Sequence, residues 1–170
     1  RVLQVTHGCI RLVSLGLTGG YVYGAFGGAV LIKGKDSIMV LEGGMLTESR
    51  ASIGGGIAIL SGGFAMLNGV RIMACSAAQY GGGILVSEST IHVVGGSVAS
   101  CASGYGGAMM LYYNALAVLT ETNITDTIVN QRLSSVAEGG AVWVQQSVLD
   151  VSNVAIINTS AHGLNAKGGA

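Results

Sequence analysis

Three observations predict an all-β fold, a right-handed parallel β-helix (solenoid) of about five to six coils, each of three short strands. A glycine pair recurs, its first member at residues 27, 54, 81, 106, 139 and 168. Sets of alternating apolar residues follow each pair at near-constant offsets. The chain also carries 29 glycines and no proline, a combination suited to many backbone corners joined by unbroken hydrogen-bond ladders. Right-handedness is the expectation for parallel crossovers between twisted strands.

Each unit opens on Gly-Gly and then runs apolar-x-apolar: GGAVLI, GGGIAI, GGGILV, GGAMML and GGAVWV, with a truncated GGA at 168–170. This places Val30/Ile32, Ile57/Ile59, Ile84/Val86, Met109/Leu111 and Val142/Val144 on the inward face of a first strand. A second inward set is expected about ten residues after the first glycine. It comprises Ile38/Val40, Phe64/Met66, Ile91/Val93, Leu116/Val118 and Leu149/Val151. A third set, Val70/Ile72, Val98, Ile124 and Val154/Ile156, precedes the return to the next Gly-Gly. One coil cannot bury its inward face, but coils stacked about 4.8 Å apart share a continuous core. The glycine pairs are expected where a corner needs positive φ or close approach of two backbones. Leu3-Gln4-Val5 and Ile10-Arg11-Leu12 read as first and second strands of a coil already under way. The whole of 1–170 is therefore expected to be one solenoid segment, an excerpt of a longer one. The longest unit, which begins at 106, is expected to carry a loop around 127–135.

The GGA-apolar motif at 27–30, 106–109 and 139–142, with small polar corners such as Asn158-Thr159-Ser160-Ala161, resembles the repeats of polymorphic outer-membrane protein passengers. It is similar also to the wider set of right-handed parallel β-helix repeat proteins. The resemblance covers nearly the whole chain and implies an architecture rather than an activity.

Charge excludes several functions. Eight basic and eight acidic residues give no net charge, and charged residues make up 9% of the chain against roughly 25% in ordinary soluble domains. No Lys/Arg cluster follows a phosphate backbone, so nucleic acid is not an expected partner. The uncharged stretch 51–70 has the length of a membrane span, but its six glycines with Ser52, Ser61 and Asn68 dilute its apolar character, and no transmembrane helix is expected. The segment 28–35, GAVLIKGK, has one residue too many between its glycines for a phosphate loop, and Asp36 stands where Ser or Thr would hold magnesium. No basic-then-apolar leader opens the chain. Catalysis is not expected, and neither is a cofactor or a metal. Asp36, Asp126 and Asp150 are the only aspartates, and Asp150 is expected on an outward face beside Ala117 and His92, with no second carboxylate. His7 and Cys9 supply only two ligands of a zinc site.

The remaining candidates are contacts and modifications. Cys75 and Cys101 fall at one corner of adjacent coils as stacked thiols, the reduced pair being favoured over a disulfide because parallel ladders set Cβ vectors side by side. Asn123 and Asn158 head sequons at the third-strand corner and are candidate glycosylation sites. The x positions of the first strands, Leu31, Ala58, Leu85, Met110 and Trp143, form an apolar row on the side expected to face solvent, and are the candidate contact surface. A second outward row is Lys33, Leu60, Ser87, Tyr112 and Gln145. These features point to a non-catalytic structural or adhesive segment, extracellular or at the cell surface. Its expected partner is protein, another copy or a larger assembly, with carbohydrate second. The rival readings are part of a carbohydrate-active β-helix whose catalytic coils lie elsewhere, and an accessory subunit of a membrane-associated assembly.

Overall fold

The computed structural model describes residues 1–130, 136–162 and 165–167. It is a parallel β-solenoid of about five turns, without a helix among the described residues. The first sheet stacks Leu3–Val5, Val30–Lys33, Ile57–Leu60, Ile84–Ser87, Met109–Tyr112 and Val142–Gln145, every neighbour parallel. The second stacks Gly8–Val13, Ser37–Glu42, Phe64–Asn68, Thr90–Val94, Leu116–Thr120 and Val148–Ser152. The third stacks the short strands Gly16–Thr18, Met45–Thr47, Arg71–Met73, Ser97–Ala99, Asn123–Thr125 and Ala155–Ile157. The three expected strands thus recur in coil after coil. A short fourth strand, as in Arg50–Ile53, Ser76–Tyr80 and Ala102–Ser103, carries the chain back to the next glycine pair. Backbone pairing runs from coil to coil along the solenoid axis, so a strand's hydrogen bonds leave both of its faces to side chains.

The interior is filled in rows. Ile32, Ile59, Val86 and Leu111 stack in one column of the first sheet, and Leu46, Ile72, Val98 and Ile124 in one of the third, all buried. Val144 and Ile156 continue these columns into the next coil, but remain exposed because no described strand stacks on its far side.

The second sheet differs from the expectation. Ile91/Val93 and Leu149/Val151 do stand in the inward columns, but elsewhere the inward residues are Met39/Leu41, Ala65/Leu67 and Ala117/Leu119. Ile38, Val40, Phe64, Met66, Leu116 and Val118 face out. Corner length explains the shift in Phe64–Asn68 and Leu116–Thr120, while Ser37–Glu42 opens one register position earlier, on the inward Ser37. Two residues, 88–89 and 146–147, precede Thr90–Val94 and Val148–Ser152, whereas three, 61–63 and 113–115, precede Phe64–Asn68 and Leu116–Thr120. With a two-residue side-chain period, one extra corner residue exchanges the faces of the strand that follows. Asp150 accordingly lies beside Val118, with His92 beyond it, rather than beside Ala117.

The glycine pair has two separate duties. The first glycine, represented by Gly81 at φ 61°, makes a left-handed turn into the first sheet. The second, represented by Gly82, lies so close to the carbonyls of Gly107 and Ala102 in the next coil that a Cβ has no space. The corner between third and fourth strands is instead a single left-handed residue, Glu48, Ala74, Ser100, Asp126 or Asn158. Behind it an internal column runs Ser49, Cys75, Cys101, Thr127 and Thr159, all buried. Ser49 Oγ and the two thiols donate to the carbonyls of Thr47, Met73 and Ala99, satisfying in these three coils a polar group the core would otherwise penalise, and Thr127 Oγ1 donates to the Gly140 carbonyl.

Candidate functional site

The expected contact row does turn away from the interior, but it is not exposed. Leu31 is 6% accessible, Ala58 0%, Leu85 4% and Met110 3%, and only Trp143 is partly open. They form a second apolar cluster with Leu60, outside the first sheet and separate from the main core. Ile53 and Tyr80 pack against them, and they belong to a row that the repeat pattern did not single out: Phe26, Ile53, Tyr80, Tyr105 and Glu138. Each immediately precedes the first glycine of a motif, and that position was the signal in the sequence. Because the glycine turns sharply into the first strand, the preceding side chain stands as a wall beside the outward row.

The result is a lateral groove of about 490 Å³. Its floor is the Leu85, Met110 and Trp143 row, its wall is Phe26, Ile53 and Tyr80, and its lip is the second outward row, Lys33, Leu60, Ser87, Tyr112 and Gln145, with Ser61 and Glu88 from the adjoining corners. Coil stacking lines these residues up along the axis: Leu85 pairs with Met110 and Ala58, and Ser87 with Tyr112 and Leu60. Trp143 closes one end. Its ring lies 5.0 Å from that of Tyr105 and stacks over Tyr80 at 6.4 Å, while Tyr80 and Tyr105 are 5.4 Å apart. Such contacts fix ring orientations and each contributes about 0.5–1.5 kcal/mol beyond burial. The groove carries two opposite charges, Lys33 and Glu88, on an otherwise neutral lining.

The other candidates lie apart from it. Cys75 and Cys101 do stack in adjacent coils, both as free, buried thiols, and contact with Cys75 together with burial pushes the Cys101 thiol up. Asn158 is exposed at its left-handed corner and donates from Nδ2 to Asp126 Oδ1 at 3.2 Å. Asn123 is exposed too, but opens a third strand opposite Ala155 and does not share the corner of Asn158. The part of the expected loop at 127–130 is a buried threonine and the strand Ile128–Asn130, whereas 131–135 lie outside the described residues. His7 and Cys9 are exposed, and no group of three or more His, Cys, Asp or Glu suited to a metal occurs among the described residues. Nor is any helix there long and apolar enough to cross a membrane.

Comparison with family models, curated proteins and solved structures finds no match. The resemblance to polymorphic outer-membrane protein passengers therefore rests on the repeat alone, while the parallel solenoid stands on the geometry.

Proposed function

We propose that the chain is a non-catalytic structural or adhesive β-solenoid segment, a rigid scaffold that presents its lateral groove as the contact site within a larger extracellular or cell-surface assembly. The observation that carries this reading is the apolar cluster outside the first sheet, walled by aromatic rings yet open enough to leave about 490 Å³. An apolar concavity on a surface with so few charges is the usual mark of a binding site. The contact site is thus a groove and not a flat apolar ladder, and the groove's chemistry selects the partner. The likeness of the GGA-apolar repeat to passenger-domain repeats supports the same surface setting. A non-catalytic role is supported by the spread of the aspartates: Asp36 before a second strand, Asp126 at a third-strand corner and Asp150 on the second sheet.

The test places a benzophenone photocrosslinker at position 87 on the lip, and in a second sample at position 40 on the second sheet's outer face. Irradiation in the native source followed by intact-mass measurement is expected to give a discrete adduct from 87 and none from 40. Equal labelling at both positions, or none at 87, would count against the groove as the contact site.

A further inference from the structure

Resting on the reading that the groove is the contact site, we propose that its occupant is one linear hydrocarbon chain with an anionic head, a free long-chain fatty acid. Shape is the first argument. From the coil of Lys33 to that of Gln145 is four coil steps, about 19 Å at the usual coil spacing. A volume of about 490 Å³ spread over that length leaves a cross-section on the order of 25 Å². An α-helix, about 10–12 Å across, is too thick to enter. A single extended chain fits.

Polarity decides which chain. An extended peptide brings an N–H and a C=O per residue, but the floor strands already spend theirs on neighbouring coils. A sugar chain would set hydroxyls over Leu85, Met110 and Ile53. In either case the polar groups turned toward the floor would be dehydrated without partners, at about 1–3 kcal/mol each, because Ser61, Ser87, Glu88 and Gln145 stand only on the lip. A hydrocarbon chain brings no such groups and gains from every methylene it buries.

Charge sets the direction. Lys33 lines one end and has no ion-pair partner among the described residues. Glu88 lies two coils further along, about 10 Å, roughly one Debye length at moderate salt. A carboxylate at Lys33 leaves the whole groove for its tail, whereas a cationic head drawn to Glu88 would leave about half. The tail end then meets Trp143, the chain's single tryptophan.

The experiment titrates the whole, delipidated chain with palmitate, 2-bromopalmitate and 16-bromopalmitate, reading Trp143 emission. Saturable palmitate binding is expected, with stronger quenching by the 16-bromo than by the 2-bromo compound. Lys33→Glu should weaken palmitate about tenfold while changing hexadecanol much less. Ser87→Phe, which fills the groove from its lip, should weaken both, with Ser61→Phe as the second filling variant if the first alters thermal unfolding. No response to any of the three acids overturns the proposal, as does equal quenching by the two bromo compounds. Binding to phosphatidylcholine vesicles without binding of free palmitate overturns it as well. A discrete crosslink from position 87 in a protein that ignores palmitate would leave the contact reading standing and remove only the fatty acid. Silence in both experiments removes both.

Discussion

Met110 and Met66 are the same residue type, both pointing out of the solenoid, one from the first sheet and one from the second. Met110 is buried beneath the row that precedes the glycines, whereas Met66 stays half-exposed. The first sheet has core on both faces and the second on one. A parallel strand covered on both faces reads as an unbroken apolar run, and VLI, IAI, ILV and MML are such runs. Outward direction and solvent exposure are therefore separate properties, and the first strands of this chain separate them.

The sharpest way to break this contrast is at the glycines. Gly82→Ala drives a Cβ into the carbonyls of Gly107 and Ala102 at the entrance to the doubly covered sheet, and should cost at least about 3 kcal/mol in urea unfolding. Gly69→Ala, at φ 64° with open space around it on the way out of the second sheet, should cost only about 1–2 kcal/mol. Next comes the methionine pair. Met110→Ala should lose about 2–4 kcal/mol and Met66→Ala less than about 1, by the same measurement. Equal losses would mean that the first sheet's outer face is not covered in solution. On the second sheet the half-buried ring of Phe64 meets His92 edge-on at 5.4 Å, and Phe64→Ala should cost about 1 kcal/mol.

The smallest effect belongs to Arg11 and Glu42, whose 2.7 Å ion pair lies on the exposed second sheet. Hydrogen bonding from Arg11 holds the Glu42 carboxyl below its ordinary value. A carboxylate lowered in the folded state stabilises above the unfolded carboxylate range, and that contribution is lost as pH falls through this range to the folded value. Glu42→Gln should lower the melting temperature slightly at neutral pH and leave it unchanged below the carboxylate range, which flattens the acid limb. An unchanged acid limb would show that the pair contributes nothing in solution.

Much of the fold was legible because stacking makes each coil repeat its neighbour's chemistry. The glycine corners and the first and third inward columns follow from the period alone. The second column did not, since its phase depends on whether two or three corner residues come before it, and since the inward Ala65 and Ala117 are less apolar than Phe64 and Leu116 beside them. The fourth strand is short and mixed in character, as Ala102–Ser103 is, and has no pattern to read. The groove was half legible. Its floor and lip were visible as outward rows, but the covering wall is spread over Phe26, Ile53, Tyr80 and Tyr105, whose common feature is position and not residue type.

The coil-to-coil direction of the hydrogen bonds has a mechanical consequence. Tension along the solenoid axis loads one coil interface at a time, so the structure yields by peeling, each step releasing a repeat of 25 to 33 residues, roughly 80–110 Å of extended chain. Tension across the axis loads all the interfaces of a sheet together. The molecule should be stiff as a beam and yielding as a thread, and the direction in which its neighbours pull decides which behaviour they meet.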